Sequence, residues 1–146
     1  MLPSIGTCSA TPEFCEACNV RNAGMCAALS ADELQFLAAS ARRSRHEPGE
    51  PLIIEDSRLT SYANVTGGIV KLSRVLRNGK QQLVGLQFAP DLLGRLFGRE
   101  NAVTVEAASE VDLCRVPKGV LEGLVASNPE LKQRLLDQSL QELDEA

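Results

Sequence analysis

Between Ala41 and Val116 the chain is punctuated by turn signals at intervals of about eight to twelve residues, which leaves room only for short extended segments. Pro48-Gly49, Gly67-Gly68, Asn78-Gly79 and Pro90-Asp91 separate runs of β-branched and apolar residues: Pro51–Ile54, Ser61–Thr66, Ile69–Leu76, Gln81–Phe88, Val103–Ala107 and Val111–Val116. Gly94 and Gly98 flank a loop. Asn78-Gly79 is the strongest hairpin signal, since both residues accept positive φ, and it joins Ile69–Leu76 to Gln81–Phe88. Such spacing predicts an antiparallel sandwich or barrel, with helices flanking it.

The helices carry their own punctuation. Ser30-Ala31-Asp32-Glu33 is a capping box, and Leu34, Leu37 and Ala38 follow at helical spacing to about Ser40. Pro117 suits a first helical position ahead of Val120, Leu121, Leu124 and Val125. Asn128-Pro129 opens a last helix whose leucines form two stripes, Leu131 and Leu135 early, then Leu136, Leu140 and Leu143. The early stripe is expected on the barrel and the late one on a partner. Glu142, Asp144 and Glu145 crowd the end, where the macrodipole disfavours acids, so the helix is expected to continue beyond the sequence. The organisation expected is a cysteine-rich segment over 1–29, a β domain over 30–128 and the start of a long helix over 129–146.

Composition narrows the class. The chain has 146 residues, 44% hydrophobic and 3% aromatic with no tryptophan, so aliphatic side chains must fill the core. No apolar run reaches the ~18 residues that span a bilayer, and Met1–Phe14 lacks the basic and apolar regions of a signal peptide. A cytoplasmic protein without a membrane partner is expected. The net charge of −4 argues against a nucleic-acid surface on the domain itself. Arg42, Arg43, Arg45 and His46 read as a solvated strand edge.

Five cysteines are many for a reducing compartment, where clustered thiols point to metal or redox chemistry. Cys15, Cys18 and Cys26 place three thiols within twelve residues, and Arg21 and loop amides offer the positive charge that thiolates need. Zinc usually takes two such knuckles or adds histidines; here there is one knuckle and only His46. An iron–sulfur cubane takes four thiolates, so three are one short. Both Cys8 and Cys114 are candidates. Closing the loop of about 88 residues from Cys26 to Cys114 costs about 4 kcal/mol in a disordered chain, which the folded domain would have to offset. Strand alternation sets Val111 and Leu113 on one face and Asp112 and Cys114 on the other, although Arg115 sits badly in it. Taken alone, Cys114 also reads as an ordinary core thiol.

The stretch from Cys15 onward resembles the sensory domain of the CRP/FNR superfamily of transcription regulators, in its oxygen-sensing branch with a C-x2-C-x7-C motif. The resemblance runs through Cys15–Arg21 with Cys26, Leu29–Leu37, Glu47–Glu50, Gly68–Leu72, Arg77–Gln82, Asp91–Gly94 and Val105–Pro117. It implies a double-stranded, jelly-roll-like β-roll over 41–116. It also implies a [4Fe–4S] cluster on Cys15, Cys18, Cys26 and Cys114, which air would remove from aerobically prepared protein. The last helix becomes the start of a dimerisation helix giving a homodimer, and DNA is contacted only through an absent C-terminal domain. Hairpin 76–80 falls where family members touch RNA polymerase.

The sequence departs from the pattern in places. Nucleotide-binding relatives follow the phosphate-loop glycine with glutamate and later an arginine; here Gly94 precedes Arg95, and Glu100–Thr104 holds no arginine, so no cyclic nucleotide is expected. Asn19 stands where proline or serine is common, and Met25 precedes the third cysteine. A histidine-rich barrel enzyme is disfavoured by the lone His46, so no enzyme is expected. The alternative kept open is a small-ligand-binding β-roll regulator domain without a cluster.

Overall fold

Each turn signal separates a pair of strands. The structure, a computed structural model, describes Cys15, Cys18 and residues 20–145, with side chains as far as 138. Cys8, Asn19 and the side chains of Leu140, Glu142, Leu143, Asp144 and Glu145 lie outside the described residues. The strands are β1 (Arg42–His46), β2 (Pro51–Ile53), β3 (Ser61–Gly67), β4 (Ile69–Val75), β5 (Gln81–Phe88), β6 (Leu92–Leu93), β7 (Thr104–Ala107) and β8 (Val111–Pro117). The helices are α1 (Ala31–Ser40), α2 (Lys118–Ser127) and α3 (Pro129–Glu145), preceded by a 3-10 turn, Gly24–Ala28. Two four-stranded antiparallel sheets result, in the orders β1-β8-β3-β6 and β2-β7-β4-β5. The mainly β roll with flanking helices expected from the turn spacing is what forms.

Turn chemistry explains the local geometry. At the β4–β5 hairpin only Gly79 takes positive φ, at 83°, while the Gly79 N–H donates to the Leu76 carbonyl at 2.9 Å. Asn78 stays out of the left-handed region and accepts from the Lys80 N–H at 3.0 Å, so the tip is a three-residue loop, not the two-residue turn its sequence suggests. Gly68 is more constrained: at φ 88° its absent Cβ would lie 2.1 Å from the Glu110 carbonyl oxygen. β6 was not foreseen, because two residues cannot display a period-two pattern.

Pro117 does not open α2. It pairs with Ser61 as the last rung of β8, and the ladder continues as the Lys118 N–H donates to the Thr60 carbonyl at 3.0 Å. This holds Pro117 extended at the N-cap, and the helix begins one residue later. The other caps follow expectation. Ser30 and Glu33 exchange both bonds of the capping box, and Asn128 Oδ1 accepts from the Leu131 N–H at 3.0 Å. Asn128 Nδ2 also donates to the Ala28 carbonyl and to Glu33, tying α3 to the N-terminal segment.

Two separate cores exist among the described residues. One lies between the sheets: Ala63, Val65, Val70, Leu93, Val105, Ala107, Val111 and Leu113. The other lies outside the first sheet, where Tyr62 and Val116 meet Cys15, Met25, Cys26, Leu34, Leu121, Leu131 and Leu135. The early stripe of α3, Leu131 and Leu135, is therefore buried as expected, against the 3-10 turn and α2 more than against strands; Leu136 is 52% exposed. Tyr62 is fully buried, and its hydroxyl donates to Glu122 Oε2 at 2.6 Å and accepts from the Phe97 N–H at 2.9 Å. Burial, then the Glu122 bond, raises the tyrosine pKa. The same bond, then Lys118, holds Glu122 below the usual carboxylate range. Among the described residues no helix is long and apolar enough to cross a membrane.

Candidate iron–sulfur site

Consecutive tight turns link Cys15, Cys18 and residues 20–29. Backbone bonds run from Cys18 N–H to Cys15 O (3.1 Å), Arg21 to Cys18 (3.2 Å), Ala23 to Val20 (3.0 Å) and Leu29 to Cys26 (3.2 Å). These short-range bonds need no regular periodicity, and they bring the Cys15–Cys18 knuckle alongside the 3-10 turn that carries Cys26. Arg21 fastens the two parts, its Nη1 donating to the Cys26 carbonyl at 3.3 Å. Met25, 1% exposed, fills the core beneath.

Cys114 arrives from the far end of the chain. It sits on β8, the strand between β1 and β3, in register with Arg43 on one side and Asn64 on the other. Residues directly opposite in an antiparallel pair share a face. Asn64 and Cys114 therefore lie with Tyr62 and Val116 on the outer face, while Val111 and Leu113 enter the roll. Arg115, which the alternation turns inward, is accommodated because its guanidinium reaches the Leu52 carbonyl of the opposite sheet at 3.2 Å.

The four thiols are free. Burial, reinforced by Cys114, Cys15 and Cys18, pushes Cys26 up to about 12, against a downward pull from Arg21. Burial with Cys18 and Cys15 pushes Cys114 up to about 11, opposed by Arg43. Cys15 is raised by burial and by Cys18, opposed by Arg43 and Arg21. Cys15, Cys26 and Cys114 are buried. Cys18 is half-buried and lines a cleft of about 330 Å³ with Arg43, Ser44, Arg45, Thr66 and Asp112. Without a cation the raised thiols of Cys15, Cys26 and Cys114 stay protonated at neutral pH, and a metal group must displace their protons.

Among the described residues no three His, Cys, Asp or Glu side chains close on one point as the ligands of a single metal ion do. A cubane asks for something else, since each thiolate binds its own iron and the four sulfurs stand around the corners of the core. Two buried side-chain polar atoms among the described residues lack a hydrogen-bond partner, Arg21 Nε and Asn64 Oδ1. Arg21 is bonded to the Cys26 backbone, and Asn64 is the rung partner of Cys114. Buried polar atoms are normally satisfied, and the orphaned Arg21 Nε–H is suited to an acceptor such as sulfur. The donor set fits a thiolate-ligated group.

Arg43 and Asn64 were not singled out by the sequence as neighbours of Cys114, because register across strands is not written locally. Arg43 had been read with Arg42, Arg45 and His46 as a solvated edge. β1 is indeed an edge strand, with Arg45 paired to Asp112 at 2.9 Å on its exposed side.

Residues 43–128 match the family model described as "Cyclic nucleotide-binding domain". The chain belongs to that family. It is a CRP/FNR superfamily sensory domain, homologous to FixK, FnrL and FNR activators. It is 40% identical over 136 residues to a probable transcriptional activator of Rhizobium leguminosarum bv. viciae, covering 93% of this chain and 57% of that protein. It is 31% identical over 147 residues to the nitrogen fixation regulation protein FixK of Bradyrhizobium diazoefficiens, covering 100% of this chain and 62% of the relative. The chain thus spans less than two thirds of either relative. Among solved structures, the sensor domain of the transcriptional regulator DNR from Pseudomonas aeruginosa superposes with a TM-score of 0.71 at 17% identity, covering 86% of each chain. These homologues are transcription regulators, not enzymes.

Proposed function

We propose that this domain is the sensory part of a cytoplasmic, DNA-binding transcription regulator that reports oxygen through a [4Fe–4S] cluster on Cys15, Cys18, Cys26 and Cys114. The observation that supports it most is the meeting of four free thiols in one buried neighbourhood, three from the N-terminal turns and one from a central strand about 88 residues later. When bound, the cluster supplies an oxygen-labile crosslink between segment 1–29 and the domain over 30–128. The cysteines fasten the N-terminal turns to β8, Met25 keeps water out, and half-buried Cys18 faces the cleft where solvent reaches the site.

Residues 129–146 start the helix through which a homodimer forms, and its inner stripe rests on the 3-10 turn beside Cys26. Fastening or releasing that turn changes the footing of α3. A shift from 1:99 to 99:1 in dimer population needs about 5.5 kcal/mol of preference, which four thiolate bonds can supply. DNA contact belongs to a further domain of the regulator, and the exposed tip at 76–80 is the surface offered to RNA polymerase. No cyclic nucleotide is bound: Arg95 follows Gly94, and the Asn101 side chain is spent on Ser57.

Protein prepared without oxygen is expected to be straw-brown with about four irons and four sulfides per chain, and to bleach in air. Cys114→Ser should lose the colour and Cys8→Ser keep it. Stoichiometric zinc without visible absorbance would defeat the reading. The cluster-free alternative draws on a groove of about 940 Å³ between β5 and α3, lined by Val84, Leu86, Phe88, Arg134 and Gln138. Colourless anaerobic protein whose melting temperature rises with a metabolite would favour it.

A further inference from the structure

We propose that Arg21 and Asn64 donate N–H groups to the sulfurs of the group held by the four cysteines, and that the Arg21 charge offsets that group's negative charge; this rests on the cluster reading above. The two residues carry the orphaned polar atoms of the described interior. A guanidinium keeps its charge and its donors under all ordinary conditions, so a buried Nε–H without an acceptor is a costly arrangement unless something occupies the space before it. Arg21 cannot simply swing away, because Nη1 is already engaged with the Cys26 carbonyl at 3.3 Å. That bond holds the guanidinium beside Cys26.

Asn64 belongs to the sheet, as the β3 residue in register with Cys114 and 1% exposed. Its oxygen and nitrogen exchange places by a half-turn of the amide, which converts the orphan acceptor into a pair of donors. One donor thus stands by the N-terminal ligands and one by the strand ligand. Four thiolates leave the loaded site net negative, and hydrogen bonds to sulfur together with nearby charge are the protein's means of setting a cluster's potential. Neither residue is a ligand; both position and tune.

The test uses the whole chain, reconstituted without oxygen, as wild type, Arg21→Gln, Arg21→Lys and Asn64→Leu. Iron per chain and the one-electron midpoint potential are measured on each. Arg21→Gln is expected to disfavour reduction about tenfold, a downward shift of about 59 mV for one electron. Arg21→Lys, which retains the charge but not the planar fork, should recover at least half of that, and Asn64→Leu should shift the equilibrium about threefold in the same direction. Variants with wild-type iron and wild-type potential would overturn the inference. Equal loss of iron in Arg21→Gln and Arg21→Lys would overturn it too, by showing that the side chain only packs. A wild-type chain that takes up no iron removes the cluster reading and this inference with it; a loaded wild type with silent variants removes this inference alone.

Discussion

The two buried regions of this domain differ in how finished they are. Between the sheets, Val65, Val70, Val105, Val111 and Leu113 interlock as an aliphatic interior, and Arg115, turned inward, is satisfied there by the Leu52 carbonyl. Outside the first sheet the core is mixed: it holds Tyr62, Met25 and two of the cysteines, and the orphaned atoms of Arg21 and Asn64 lie in the same layer. Both regions share β3 and β8, so one sheet is a solid wall on its inner side and a receptor on its outer side. On the proposed reading, stability and sensing fall on opposite faces of the same strands. A disturbance on the outer face can be large without dissolving the roll.

The strongest test of this division is Leu113→Ala. It should cost about 2–5 kcal/mol by leaving a cavity in the roll. The loss, read from denaturant unfolding, should be the same in iron-loaded and iron-free protein; a cost that depends on iron would mean the two cores are one.

Tyr62→Phe comes next, at about 1–3 kcal/mol, since it strands the Phe97 N–H and withdraws a partner from Glu122. Here pH sharpens the comparison. Glu122 is held below its unfolded range, so its contribution is present above about pH 4.3 and fades as pH falls further. Tyr62 is raised, so its contribution is present below about pH 10 and fades above it. The wild-type advantage over Phe in melting temperature should therefore be broad around neutrality and shrink in acid. An advantage that grows in acid would contradict the Tyr62–Glu122 assignment.

The smallest expected effect is on local opening. Removing iron from loaded protein with a chelator should speed amide exchange at Met25–Leu29 about tenfold, or about 1.4 kcal/mol of protection, while Val65 and Val111 stay unchanged. Uniform loss across both regions would show that the outer layer carries the global fold.

Much of the architecture was written locally. Gly67-Gly68 and Asn78-Gly79 marked their turns, and Ser30-Glu33 and Asn128 marked the starts of α1 and α3, because a cap or turn depends on neighbours within four residues. The miss at Pro117 came from a partner distant in sequence. It looked like a helix opener until the pairing with Ser61 claimed it for β8. The site divides in the same way. The spacing of Cys15, Cys18 and Cys26 speaks for itself, whereas the choice of Cys114 came from family resemblance. Its neighbours Arg43 and Asn64 became visible only with the register of β1, β8 and β3.

The order in which a ribosome delivers this chain adds a constraint of its own. Cys15, Met25 and Cys26 are made about a hundred residues before Leu121, Leu131 and Leu135, which help bury them. Throughout synthesis, then, the N-terminal thiols stand uncovered beside a growing polypeptide, and the strand that bears Cys114 appears only after most of the roll has emerged. A group held by all four cysteines would bind only after β8 has emerged, and the waiting thiols would have to stay reduced until then.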